Sequence, residues 1–280
     1  MQQLLAIFEH HQYLHRSANY LTDSYMSGAE TLLLFEASTP TLDGLECCPL
    51  LAKLYVNAGK PRKAWLSSRR ALDFALILGL HGATDQADEH RRALWASIWQ
   101  AERHAALITG VPCGIAESYT SLSKEYDNQS IVEQVLHRLS VVCGRITERN
   151  QDPQHPTHTA SKIEEELQQC RDMMPSEWWD YEFSHFSFHM LYVILGIKLR
   201  YLELLKYLHL PYMLTPCTFG DHQRSKAAVL NAAREGIRSY QYFRRACGSS
   251  FILCDLLDFA VFTGGSHRHQ SAWSVIVRQI

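Results

Sequence analysis

From Phe186 to Met213 the chain reads FSFHMLYVILGIKLRYLELLKYLHLPYM, and this segment limits the fold more than any other. It is apolar on nearly every side until Lys198. A helix that is hydrophobic all round must be surrounded by protein or lipid. Its uncharged run is shorter than the roughly 20 residues a membrane span needs. The expectation is a central core helix wrapped by other helices.

The remaining chain carries the helical period that such wrapping requires. In GKPRKAWLSSRRALDFALILGLHG, Pro61 suits a first helical turn, where its missing N–H costs nothing. Trp65, Leu72 and Leu76 fall on one stripe, with Ala64, Ser68, Ala71 and Ala75 beside it. Gly79 or Gly82 can supply the left-handed stop. The next helix is expected from near Asp88 to about Thr109, carried by Trp95, Ile98, Trp99, Ala105 and Ile108. Ile131, Val135, Leu139, Val142 and Ile146 make a further stripe. The stretch NQDPQHPTHTA, from Asn150 to Ala160, lacks large apolar residues and reads as an exposed loop. Ser161-Lys-Ile-Glu164 then has the form of a capping box. Ile163, Leu167 and Cys170 give that helix its buried side, and Pro175 ends it. SKAAVLNAAREGIRSYQYFRRA and SSFILCDLLDFAVF complete the set, with Gly264-Gly265 as a turn before a short C-terminal piece. No strand alternation appears. The fold class is all-α: an irregular multi-helix domain with long central core helices, one unit over residues 1–280 with an exposed loop near 150–160.

Composition narrows the function classes. With 46% hydrophobic and 11% aromatic residues the chain can bury a real core. Its formal charge is -2. Nucleic-acid affinity comes largely from Lys and Arg neutralising phosphates, so direct specific DNA binding by this chain alone is not expected. The eight cysteines include no Cys-x-x-Cys pair, so a structural zinc site has no signal. Free thiols in a reducing compartment are the expectation. The start MQQLLAIFEHHQYLHRSANY has neither a basic opening nor a small-residue cleavage site, and reads as no secretory signal.

Chemistry motifs are sparse. No Gly-x-Gly-x-x-Gly, P-loop or Gly-x-Ser-x-Gly occurs. His185 and His189 are four apart and could share a helical face, but Phe186 stands where a zincin has glutamate. His267 and His269 flank Arg268 in what reads as a surface tail. Asp255 and Asp258 are three apart, yet the paired-aspartate motif by which helical terpene cyclases hold magnesium diphosphate is missing. The basic pairs Arg62-Lys63, Arg69-Arg70, Arg91-Arg92 and Arg244-Arg245 read as solvated helix faces before a phosphate surface. Glu102 lies seven residues after Trp95, hence on the same stripe. A buried carboxylate must be paired or neutralised, so a structural ion pair with an arginine is expected before a general acid. No catalytic, cofactor or metal residue is assigned.

The central block RRALWASIWQAERHAALITGVPCGI resembles the signature of the fungal-specific transcription factor domain, the middle homology region of fungal zinc-cluster regulators. The matching elements are Ala64-Trp65, Ala71, Leu78-Gly79-Leu80-His81, Arg91-Arg92, Trp95, Glu102-Arg103 and Gly110-Val111-Pro112. LHLPYM resembles the family's Leu-His-x-Pro turn and NAAREGI its Ala-Ala-Arg helix, so the likeness runs from about Leu42 to Phe262. The chain departs from the pattern at Val111 and Leu210, where arginine is usual, and over AESYTSLSKEYDN.

The resemblance implies a non-enzyme, nuclear regulator of transcription, in a setting such as a metabolic or secondary-metabolite gene cluster. Zinc is expected only in an N-terminal six-cysteine cluster missing from this chain, with DNA read elsewhere or by a partner. The partners implied are other proteins, either transcription machinery or a dimer partner, and a small-molecule effector, with no membrane. Trp65, Arg92, Trp95, Glu102, Arg103, Gly110 and Pro112 form the family signature, read as structural. An effector pocket would be expected at His189 and Tyr192, in the apolar run from Phe186 to Ile197, against the competing reading of a filled core. A helical protein-interaction scaffold without a transcriptional role, and then a helical enzyme, are the alternatives.

Overall fold

The computed structural model describes residues 24, 26–31, 41–57, 60–82, 89–115, 130–151, 157–180, 186–214 and 219–247. SSFILCDLLDFAVF, Asp255, Asp258, His185, His267 and His269 lie outside the described residues. The order is α1 (Leu42–Asn57), α2 (Pro61–Ile77), a 3-10 turn at Leu80–Gly82, α3 (Glu89–Thr109), α4 (Ile131–Gln151), α5 (Thr157–Met173), a 3-10 turn at Ser176–Trp178, α6 (Phe188–Leu214) and α7 (Phe219–Cys247). The fold is all-α, and no strand occurs among the described residues.

Local chemistry sets most helix ends. Thr41 caps α1, its hydroxyl accepting the Gly44 N–H at 3.1 Å. Pro61 opens α2 at the position where proline is tolerated. Gly79 (φ +70°) and Gly110 (φ +68°) take the left-handed conformation after α2 and α3, where a Cβ would be strained. The Val111 N–H then donates to Ala106 O at 3.1 Å, closing the turn of Gly110-Val111-Pro112.

Three local expectations need correction. The capping box belongs to α4, not α5. Ser130 Oγ accepts the Glu133 N–H at 3.3 Å, and Glu133 Oε2 accepts the Ser130 N–H at 2.8 Å. Helix α5 begins at Thr157, so Ser161–Glu164 lies inside it. Glu164 instead accepts from Arg224 of α7 at 2.7 Å. The break expected over Asn150–Ala160 shrinks accordingly, because α4 runs to Gln151 and α5 starts at Thr157. Pro211 of LHLPYM sits within α6 and makes no turn. Proline removes the N–H that would serve the carbonyl four residues back, here Tyr207, and Arg149 Nη2 donates to that oxygen at 3.5 Å.

The helices build two adjoining cores. One joins α1, α2 and the first half of α3, around Leu45, Leu72, Phe74, Trp95 and Trp99. On α2 the buried side centres on small residues: Ala64, Ser67, Ser68, Ala71 and Ala75. They let α1 approach closely, and Ser67 Oγ donates to Cys48 O at 3.1 Å. Trp65 and Leu76 therefore sit half-buried at the stripe's edge. The second core joins α4, α5, α6 and α7 around Leu139, Ile146, Leu167, Ile194 and Leu204, and Leu107 of α3 reaches it. Ile131, expected in the α4 stripe, is exposed in that helix's first turn.

Helix α6 is central, packing on α4, α5 and α7. Three of its charged residues, Lys198, Glu203 and Lys206, are buried. Lys198 is 1% exposed and reaches Glu235 of α7 at 3.0 Å. Burial depresses its pKa, and the bond to Glu235 opposes that shift. No described helix is long and apolar enough to cross a membrane.

Candidate functional site

The signature residues gather where α2, α3 and the turn after α3 meet. Glu102 is 1% exposed. Its Oε1 accepts from Arg69 Nη1 at 3.1 Å and from the Gly114 N–H at 2.9 Å. Arg69 also donates to Pro112 O at 3.4 Å and lies 5.3 Å from the centre of the Trp65 ring. A Cβ on Gly114 would fall 1.8 Å from Arg69 Nη1, so glycine leaves the guanidinium its room. Burial pushes the Glu102 carboxyl above its ordinary range, and Arg69, the Gly114 N–H and Arg103 only partly offset it.

Arg103 points to the other side of α3. Its guanidinium lies 4.5 Å from the Trp99 ring centre and donates to Ile115 O at 3.3 Å. A Cβ on Gly144 of α4 would stand 1.7 Å from Arg103 Nη1. Trp99 stacks on His137 of α4, with ring centres 5.2 Å apart and planes 20° apart. Trp95 is buried and lies 6.1 Å from the His81 ring. Arg92 is half-buried, while Arg91 donates to Leu78 O at 2.7 Å, satisfying a carbonyl at the end of α2. Arg69 and Arg70 divide, Arg69 turning to Glu102 and Arg70 staying exposed, because neighbouring residues on a helix point about 100° apart. The arrangement is a clamp around two buried side chains, Glu102 and Arg103, which tie α3 to α2 and to the turn that follows it.

The concave site lies elsewhere. A cleft of about 320 Å³ runs along the seam between the two cores. Pro49 and Ala52 of α1, Ala101 and His104 of α3, and Val193 and Gly196 of α6 contribute to its walls. The lining is mainly apolar, with Arg200 and Glu203 of α6 bringing charge. His104 Nε2 and Glu203 Oε2 are 2.8 Å apart, joining α3 to α6 across the seam. Glu203 is 5% exposed, and its Oε1 is buried without a hydrogen-bond partner.

This cleft only partly matches the expected pocket. Tyr192 lines it and also tilts against Phe243 of α7, with ring centres 5.8 Å apart. His189 is exposed in the first turn of α6 and is not among the lining residues. The residues missed were His104, Arg200 and Glu203. The available signal was Glu203 itself, a carboxylate inside RYLELLKYL, where an apolar helix must give it a partner.

Cys47, Cys48, Cys113, Cys143 and Cys170 are free thiols. Burial pushes the Cys113 and Cys170 thiols up to about 11, which makes them poor nucleophiles. Among the described residues no group of three or more His, Cys, Asp or Glu side chains could hold a metal ion.

The chain is similar to fungal regulators. It is 26% identical over 258 residues to "Transcription factor sdnS" of Sordaria araneosa, an alignment covering 83% of this chain and 33% of that protein. It is 31% identical over 220 residues to "Transcription factor eupR" of a Phoma species, covering 72% of this chain and 46% of that protein. A "Dehydrocurvularin biosynthesis regulator" of Aspergillus terreus is 28% identical over 234 residues, 75% of this chain and 32% of that protein. The chain therefore spans between about a third and just under a half of the relatives' lengths. No family model matches it, and no solved structure matches it.

Proposed function

We propose that the chain is the regulatory part of a fungal transcription regulator of the fungal-specific transcription factor domain type, controlling a biosynthetic gene cluster. One observation carries this reading: proteins named as transcription factors or biosynthesis regulators align over 72% to 83% of the chain. The signature residues Glu102, Arg103, Gly110 and Pro112 support it by serving a buried clamp, which suits a domain built to hold shape and pass on a state. Catalysis has no comparable support, because Glu102 is committed to Arg69 and Gly114.

On this reading the work is done in the nucleus, through contacts with transcription machinery or a second subunit. DNA is read outside these residues or by a partner, and any zinc belongs to that reader. A small effector sets the state of the domain. The test fuses the chain to an unrelated DNA-binding domain above a reporter gene in a fungal host, with a fluorescent tag. Nuclear accumulation with changed reporter output is the expected result. A fusion that reaches its DNA site and leaves the reporter unchanged overturns the regulatory reading and favours a scaffold.

A further inference from the structure

We propose that the seam cleft between α3 and α6 binds a compact, largely apolar carboxylic acid in its ionised form, with the ligand's carboxylate paired to the guanidinium of Arg200. This deepens the regulatory reading by giving the effector a seat and a chemical class.

The cleft has an open end and a closed one. Ser97, Gln100 and His104 of α3 all line it, and they pass from exposed through half-buried to buried. It therefore opens at Ser97 and closes at the His104–Glu203 bond. Tyr192, Val193, Gly196 and Arg200 of α6 also line it. They share one face of that helix, and from Leu191 to Leu204 they are the residues that stay half-buried while the others are buried. The accessible face of this stretch is thus the cleft face, and Arg200 stands on it one turn before Glu203, near the closed end. Arg200 makes no hydrogen bond or ion pair among the described residues. None of its nitrogens is sealed off, whereas Glu203 Oε1 is. The guanidinium is therefore open to a molecule in the cleft.

Charge chooses the ligand's head. Burial lowers the Arg200 pKa, and Cys143 and Glu203 act against it. The Cys143 thiol is itself pushed up by burial and stays uncharged. Glu203 already serves His104, through their hydrogen bond, and Lys206. Arg200 thus holds only a share in one carboxylate that is turned to other partners. Arginine does not escape this by losing its proton. A desolvated cation calls for an anion beside it. A carboxylate fits, because its two oxygens match the planar guanidinium fork and its single charge balances one arginine. The second charge of a phosphate would face Glu203 unbalanced. Size and lining choose the body. At about 320 Å³ the cleft lies at the small end of the usual range for ligand sites, roughly 300–1,000 Å³, and its walls are mainly apolar.

The test uses the purified 280-residue chain at neutral pH. It is titrated with 2-naphthoate, followed by the probe's fluorescence, and in parallel with methyl 2-naphthoate, which lacks the charge. Saturable one-to-one binding of 2-naphthoate is expected, at least about tenfold tighter than its ester. Arg200→Gln should keep the helical circular-dichroism signal and bring 2-naphthoate down to the level of the ester. Ala101→Leu, which narrows the cleft from α3, should weaken 2-naphthoate at least about tenfold and decides the matter should Arg200→Gln not fold. No saturable binding, equal binding of acid and ester, or unchanged 2-naphthoate binding in either folded variant overturns the proposal. Binding is read without any reporter gene, so its failure and that of the transcriptional reading are separate results.

Discussion

Arg69 and Glu102 meet at 3.1 Å, and because the same carboxylate oxygen also accepts the Gly114 N–H, one buried pair holds α2, α3 and the chain beyond the Gly110-Val111-Pro112 turn together. Glu102 is almost wholly buried, whereas Arg69 is only partly so. Removing the arginine leaves a carboxylate in a place that cannot solvate it. Arg69→Ala should therefore cost about 3–5 kcal/mol in urea unfolding. Arg69→Lys should recover only part of that, because lysine lacks the planar fork that reaches both Glu102 and Pro112 O. A loss below about 1 kcal/mol for Arg69→Ala would show that the pair behaves as a surface ion pair.

Gly144 and Arg103 make a reciprocal case. Alanine normally improves a helix interior by about 1 kcal/mol over glycine. Here its Cβ would land 1.7 Å from a guanidinium nitrogen that lies over Trp99 and has no solvent to retreat into. Gly144→Ala should destabilise by about 1–3 kcal/mol. In an Arg103→Ala background the same change should become neutral or stabilising. A double-mutant cycle by chemical denaturation measures the coupling, and additive effects would sink the steric account.

Trp95 tests the register of α3. It sits in the core shared by α1, α2 and α3, with a ring contact to His81. Trp95→Ala should cost about 3–5 kcal/mol. Trp65, half-buried on α2, should cost clearly less when truncated. Thermal or urea unfolding of the two variants ranks them, and the reverse order would mean that α2 is rotated from the placement described above.

Helical period made the α2, α3 and α4 stripes legible in the sequence, and Gly79 was one of the two glycines read as the stop of α2, because apolar spacing and left-handed glycine are local properties. The capping box was misplaced for a physical reason. Ser130–Glu133 and Ser161–Glu164 have the same spacing, and only the helix start at Thr157 turns the second Glu toward Arg224. Pro211 misled similarly, since the donor that takes over the stranded Tyr207 carbonyl comes from Arg149, far away in sequence. The cleft was less legible still. His104 and Glu203 come from helices whose neighbourhood depends on how the two cores join, and no periodicity in either helix encodes that junction. Tyr192 lines the cleft, whereas His189, in the same apolar run, is exposed, and apolarity alone does not separate the two.

Glu102 and Glu203 should respond to pH with opposite signs, though both are buried carboxyls. Burial raises Glu102 above its ordinary value of 4.5 and its partners only partly offset this. Burial also works to raise Glu203, but His104, Lys206 and Arg200 outweigh it and bring the group below 4.5. For Glu203 the unfolded chain takes up its proton first as pH falls. The stability it contributes is therefore fully present above about pH 4.5 and is lost as pH drops toward the lower folded value. For Glu102 the folded chain holds the proton longer as pH rises, so its contribution declines from about pH 4.5 upward through the raised value. Urea unfolding at a series of pH values separates the two. The cost of Glu203→Gln should grow as pH rises toward about 4.5 and then level off. Above that point Glu102→Gln should become steadily less costly relative to the parent protein. If both variants track pH with the same sign, the His104–Glu203 bond does not outweigh burial, and the carboxylate in the cleft is held no differently from the one in the clamp.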